Sequence, residues 1–342
     1  MTEQHVLVIY CGGTIGMTPS ADGFVPARNF ADAVQQHLPA DQTLPQYTLL
    51  ELDELIDSAN IRCDHWLQLA GILQQNWHDY DGFVILHGTD TMAYSASMLS
   101  FLLTQQDKPV VFTGAQIPLS QPGSDGLNNL INSLHVAAYS ALPEVVVCFN
   151  HRILRGNGCT KVSSTQLDAF QSPNGRELGR VHSGGTELNR ERNTTLNAQT
   201  RTGLPLQCQL PTLRPEAVAI VRFYPGIQGS VIEMMAANAQ AVVLQTYGLG
   251  NFPDADSKVV QALQRLQQQD IVVVNTSQCL NGGVQQSTYA SGAVLNPLGV
   301  VDGQDMTLEA AFTKLHYLLA TESRTDNIRE KMQQDLRGEL TR

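Results

Sequence analysis

The sequence predicts an α/β fold in two parts, a larger N-terminal domain built on a parallel sheet and a smaller C-terminal α/β domain. Strand-like apolar runs alternate with segments whose apolar residues recur at helical spacing, the rhythm of a parallel sheet covered on both faces. Early strands run into glycine-rich turns that carry hydroxyls and carboxylates, and parallel α/β sheets present their ligand crevice at those carboxyl ends. The rhythm lapses through a polar stretch and then restarts on a smaller scale.

In chain order, residues 6–10, 47–51, 83–87, 110–113 and 145–149 read as strands, with helices over 64–77, 91–103 and 125–139. Residues 17–26, punctuated by Pro19, Gly23 and Pro26, read as a loop placed to act as a lid over the first turn. From about 176 the chain turns polar; part of it is expected to form a hairpin, and 193–215 reads as an interdomain linker. The expected boundaries are therefore 1–192, 193–215 and 216–342. Beyond the linker, 218–221, 241–244 and 271–274 read as strands, and 230–238, 256–269 and 308–319 as helices.

Composition narrows the function classes. The 342 residues are 42% hydrophobic and 15% charged, as in a globular protein. A net charge of −11, with scattered basic residues such as Arg152, Arg155 and Lys161, argues against a nucleic-acid surface. The first apolar run is only strand length, and nothing approaches the roughly 20 apolar residues of a membrane span. A cytoplasmic protein with no membrane partner is expected. The six cysteines form no C-x-x-C pair and the histidines show no ligand spacing, so neither metal nor cofactor is expected.

The chemistry-bearing residues sit in the turns. Thr14 lies in Gly12-Gly13-Thr14-Ile15-Gly16, whose spacing departs from the dinucleotide fingerprint and which opens no helix. Gly88-Thr89-Asp90-Thr91 follows the buried strand 83–87. One of these side chains is expected to cap the next helix, and a carboxylate there is held ionised by the helix dipole. Thr113-Gly114-Ala115-Gln116 repeats the pattern, leaving the Ala115 backbone free to face a ligand; Asp125 and Asn128 after it read as ordinary helix capping. Lys161 lies in a loop, where a lysine by itself is a solvated charge. Beside Thr89 and Asp90 it would instead be a proton partner, since a desolvated lysine can take a hydroxyl proton.

These residues resemble the bacterial-type L-asparaginase family, in its cytoplasmic type I branch. The resemblance rests on Gly12–Gly16, the block His87-Gly88-Thr89-Asp90-Thr91-Met92-Ala93-Tyr94, Thr113–Pro118 and Thr160-Lys161. Asp57-Ser58, Tyr247–Asn251 and the tail Leu336-Arg337-Gly338-Glu339-Leu340 add to it, so that it spans nearly the whole chain. It implies an amidohydrolase that releases ammonia from L-asparagine, with glutamine as a minor substrate, working as a homodimer or homotetramer. It implies Thr14 as nucleophile and Thr89, Asp90 and Lys161 as a second catalytic cluster. Ser58 beside Asp57 would hold the amino-acid end of the substrate, with Asp90 pairing its amine. Backbone groups at Gly13, Thr89 and Ala115 would meet the amide and oxyanion, and Gly88 and Ala59 complete the expected contacts.

Two positions depart from the family pattern. Phe24 stands in the lid where the family carries a tyrosine, and it cannot relay a proton, so turnover is expected below that of family members. Gln245 stands where an arginine would clamp a regulatory asparagine; with Thr160 and Cys279 matching that pocket weakly, this speaks against such a second site. A catalytically impaired sensor of asparagine or aspartate is therefore the alternative function. A nucleotide-binding module is disfavoured by the missing phosphate-loop spacing.

Overall fold

The fold is built outward from β1 (His5–Tyr10), a strand with a paired neighbour on each side, whose residues from Val6 onward are fully buried. The computed structural model describes residues 4–21, 23–26, 28–38, 44–182, 185–189 and 206–341. It bears out the two-part α/β expectation. One compact unit comprises Met1–Ser172 with Arg176–Leu210, and the other Pro173–Gly175 with Pro211–Arg342.

In the first unit, β1 pairs in parallel with β4 (Gln46–Glu51) on one side and β5 (Gly82–Leu86) on the other; the lid segment supplies β2 (Met17–Ser20) and β3 (Gly23–Pro26). The short β6 (Leu103–Thr104) lies outside this sheet, which continues in parallel through β7 (Val110–Thr113) and β8 (Val145–Phe149). It then turns antiparallel through β9 (Arg152–Arg155), and, past the small pair β10 (Thr160–Lys161) and β11 (Phe170–Gln171), through β12 (Gly179–His182) and β13 (Gly185–Leu188). The order is β13-β12-β9-β8-β7-β5-β1-β4.

Register decides what this sheet can do. Tyr10 lies opposite Leu86, and Leu86 opposite Thr113, so β1, β5 and β7 end level with one another. Hydrogen bonds continue past the strands, from Cys11 N to Leu86 O at 3.0 Å and from His87 N to Thr113 O at 2.9 Å. Three glycine turns are thereby held side by side.

Both faces are covered. Val6, Val8 and Tyr10 face a core shared with Phe30 of α1 (Phe30–His37) and with Leu130 and Leu134 of α4 (Gly126–Tyr139). Between those helices in sequence come α2 (Cys63–Asn76) and α3 (Met92–Leu102), and α3 packs on β7 and β8. The near-total burial of α3 explains why apolar and small residues occupy every side of it.

Two differences from expectation have local causes. Within the segment read as a loop, Met17–Ser20 and Gly23–Pro26 pair as the antiparallel strands β2 and β3, with Thr18 opposite Val25 and Pro19 opposite Phe24. The β8–β9 hairpin turns on Asn150 and His151, at φ 46° and 64°, so no glycine announces it. The stretch read as a linker lies outside the described residues up to 205; beyond it, β14 (Gln207–Cys208) pairs with β6.

The second unit has a parallel sheet, β15 (Val218–Arg222), β16 (Ala241–Thr246), β17 (Val272–Ser277) and β18 (Val301–Asp302), in that order. One face packs against α5 (Gly229–Ala236) and α6 (Ser257–Gln268), the other against α7 (Leu308–Thr321) and α8 (Thr325–Met332). Lys314 of α7 and Glu339 of the tail form an ion pair at 2.5 Å with neither side chain exposed. Burial pushes the Lys314 ammonium below its usual range. Burial opposes ionisation of Glu339 as well, but Lys314 and the backbone N–H groups of Leu336 and Arg337 hold its carboxyl low.

Candidate active site

The site assembles at the level carboxyl ends of β1, β5 and β7. Gly13 adopts φ 86°, and a Cβ there would lie 2.5 Å from Gly88 Cα and 2.9 Å from the His87 carbonyl carbon. Only glycine lets the first and second turns touch. A Cβ on Gly88 would in turn lie 2.6 Å from Ser58 Cβ. The third turn is tied in by Leu119, whose N–H donates to Ile15 O at 3.1 Å, and by Ser120, whose hydroxyl reaches Met17 O at 3.2 Å.

Thr14 is half-buried at the start of a single 3-10 turn, Thr14–Gly16. Among the described residues it reaches the rest of the site through the contact of its turn with Gly88 rather than by a hydrogen bond of its own. Thr89 is buried and Asp90 exposed at the next turn. Lys161, at the end of β10, donates from Nζ to Thr89 Oγ1 at 2.8 Å and to Asp90 Oδ1 at 2.7 Å. Its side chain is 18% exposed against 65% for Asp90, so the ammonium faces inward and the carboxylate outward. The ladder holds it there, since Lys161 pairs with Phe170 and Val162 N donates to Ala169 O at 2.8 Å.

Ser58 is buried in the 3-10 turn Ser58–Asn60, while Asp57 and Ala59 are exposed. The Asp57 carboxylate accepts from Ala59 N at 3.2 Å, which stiffens this turn. Ala115 is fully buried in the third turn. The turns 13–14, 57–58 and 88–90 are thus joined to one another, and Lys161 is joined to the last of them.

Helix capping differs from expectation. Thr91 occupies the N-cap of α3 without capping it; its hydroxyl donates instead to Ser58 O at 2.7 Å. It fastens the Ser58 turn to the Thr89 turn. Asp125 likewise caps nothing. Its buried carboxylate accepts from Gln116 N at 3.0 and 3.1 Å, Ile117 N at 3.0 Å and Asn129 Nδ2 at 3.0 Å, and Asn129 also donates to Gly114 O. Asp125 is an anchor for the third turn.

Sequence reasoning also passed over His87. It is fully buried, and desolvation pushes its pKa down to about 4, so the ring is neutral. Its Nδ1 bonds Gly88 O at 2.8 Å, Ser95 Oγ lies 3.0 Å from Nε2, and Trp66 Nε1 donates to Ser95 Oγ at 2.9 Å. A neutral imidazole that gives its proton to Gly88 O and takes one from Ser95 satisfies every partner in this relay. The relay fixes the carbonyl directly before Thr89. Its sequence signal was His87 itself, quoted in the motif but given no task.

The set offers two hydroxyls, an ammonium–carboxylate pair and glycine turns with closely approaching backbone. Among the described residues no group of three or more His, Cys, Asp or Glu side chains is placed to hold a metal ion. Such an assembly suits acyl transfer through a hydroxyl.

Comparison with known proteins agrees in class. Residues 5–194 match the family described as "Asparaginase, N-terminal", and residues 217–332 match "Glutaminase/Asparaginase C-terminal domain". The chain belongs to the asparaginase family. It is 41% identical over 347 residues to "L-asparaginase 1" of Escherichia coli K12, covering 100% of this chain and 99% of that one. The crystal structure of L-asparaginase I from Vibrio cholerae superposes with TM-score 0.87 at 37% identity, covering 99% and 100% of the two chains. A probable cytoplasmic L-asparaginase from Campylobacter jejuni superposes with TM-score 0.78 at 25% identity, covering 96% and 99%.

Proposed function

We propose that this protein hydrolyses the side-chain amide of L-asparagine to L-aspartate and ammonia, with glutamine as a minor substrate. The observation that carries the reading is the Lys161 ammonium bonded at once to Thr89 and Asp90; the close approach of Gly13, next to Thr14, to Gly88, next to Thr89, supports including Thr14. The 41% identity to an L-asparaginase over the full chain supports the substrate.

In this reading the Thr14 hydroxyl oxygen attacks the amide carbon and its proton passes to a basic group of the site. The C–N bond breaks as the nitrogen takes a proton and leaves as ammonia. Water then attacks the β-aspartyl ester, returning the proton to Thr14 and releasing aspartate. Thr89, Asp90 and Lys161 manage the proton. Backbone groups at Gly13, Thr89 and Ala115 meet the amide and the oxyanion, where loss of one oxyanion donor typically costs about 10²–10³ in rate. Ser58, with Asp57, Ala59 and Gly88 around it, receives the amino-acid end, and the exposed Asp90 carboxylate pairs the substrate amine. One extra methylene changes binding by only about 1–3 kcal/mol, which leaves glutamine as a weaker substrate. The N-terminal unit is the catalytic one, the location cytoplasmic and the assembly a homodimer or homotetramer.

A second reading follows from Phe24, which is 48% exposed on the lid hairpin and has no hydroxyl to offer Thr14. The protein would then bind asparagine or aspartate as a sensor. Ammonia release from asparagine and glutamine, measured beside aspartate binding by calorimetry, separates the two. Turnover of asparagine faster than of glutamine supports the hydrolase; aspartate binding with no ammonia release supports the sensor and removes the hydrolase.

A further inference from the structure

Gln116 bridges Thr89 and the hairpin that carries Lys161. Its Nε2 donates to Ser163 O at 3.3 Å and to Gln166 O at 3.1 Å, and its Oε1 accepts from Thr89 Oγ1 at 3.2 Å. The orientation of the amide is therefore determined. Reversed, it would set its oxygen against two carbonyl oxygens and its NH₂ against a hydroxyl already receiving a proton from Lys161.

The direction of the Thr89 proton follows. Lys161 has donors only, so Thr89 Oγ1 accepts from it, and the single Thr89 proton is left for Gln116. Gln116 is itself held, through its backbone N–H, by the buried Asp125 carboxylate. On the opposite side, Ser163 Oγ accepts from Gln166 N at 2.9 Å and Thr165 N at 3.3 Å. That closed turn is what aims the two carbonyls at one NH₂ group. Lys161 lies two residues before Ser163, on the strand that enters the turn.

We propose that Gln116 is a positioning residue for this reaction. It orients the Thr89 hydroxyl so that its oxygen faces the Lys161 ammonium, and it registers the β10–β11 hairpin that carries Lys161. The inference rests on the reading of Thr89 and Lys161 as catalytic. Gln116 acts through Thr89, whose hydroxyl it holds.

The test is a double-mutant cycle on ammonia release from asparagine, with kcat and KM for wild type, Gln116→Leu, Thr89→Val and the double variant, and circular dichroism to establish folding. Gln116→Leu is expected to lower kcat by about 10–10²-fold with KM changed less than about threefold. In the Thr89→Val background the same substitution should change kcat by less than about twofold. Wild-type kcat in Gln116→Leu, or full multiplication of the two losses, overturns the proposal while leaving the catalytic reading intact. Undiminished kcat in Thr89→Val overturns both. Gln116→Glu gives an independent readout that a merely structural role would not move. As a carboxylate it has no proton for Ser163 O or Gln166 O, and as the neutral acid it regains one donor and one acceptor. Its kcat relative to wild type should therefore rise severalfold from about pH 7 to about pH 5. A flat ratio overturns the assignment.

Discussion

Gly88→Ala probes the contact on which the site's assembly depends. The added Cβ would lie 2.6 Å from Ser58 Cβ and must retreat by about 0.8 Å to reach ordinary contact at 3.4 Å. Ser58 cannot yield freely. It is 3% exposed, and its carbonyl accepts from Thr91 Oγ1 at 2.7 Å and from Ile61 N at 3.2 Å. The displacement therefore falls on the 88–90 turn, whose Thr89 must stay within hydrogen-bond reach of Lys161. Overpacking of this kind costs about 1–3 kcal/mol, and a misplacement near 1 Å at reacting groups can cost about 10²-fold in rate. Initial rates of ammonia release should show kcat/KM down by about 10²-fold, and thermal melts a Tm lower by about 2–12 °C. Gly71→Ala in α2 is the control, because its Cβ would find only Leu210 Cδ1, 4.0 Å away. It should leave activity unchanged and raise stability by about 0.5–1 kcal/mol. Gly88→Ala with kcat/KM within about twofold of wild type would refute the reasoning.

Stability should fall as pH drops below about 6.5. Desolvation holds His87 and His316 neutral in the folded protein down to about 4, against 6.5 for an unfolded histidine. Between those values the unfolded chain binds more protons, so stability decreases as pH falls, by about 1.4 kcal/mol per pH unit for each ring. Both ring nitrogens of His316 are buried, with no hydrogen-bond partner among the described residues. Urea unfolding of His316→Leu should accordingly lose close to half of that pH slope, and an unchanged slope would contradict the argument. Lys314→Met leaves Glu339 charged and unpaired in the interior and should cost about 3–5 kcal/mol, while Lys314→Met with Glu339→Leu should recover most of it. A double variant no more stable than Lys314→Met would contradict that account of the tail.

The architecture was legible because β1, β5, β7 and β8 are buried on both faces and so read as unbroken apolar runs. The glycine turns were legible for the same reason, since each follows directly on such a run. What escaped depends on partners distant in the chain. Thr91 and Asp125 occupy N-cap positions, where local sequence predicts capping, yet their oxygens serve neighbouring turns. Nothing near Gln116 in sequence signals Ser163 or Gln166, because only the fold brings that hairpin alongside. The β8–β9 turn was hidden by its Asn-His pair, and the lid hairpin by prolines that more often mark a loop.

The measurement that bears most directly on the central claim is ammonia release from L-asparagine by wild type, Thr14→Ala and Lys161→Met, each checked for native folding. A single hydrolytic centre containing both residues predicts that each substitution lowers kcat by at least about 10²-fold. Wild-type turnover in Thr14→Ala would contradict the nucleophile, and wild-type turnover in Lys161→Met would contradict the shared centre itself.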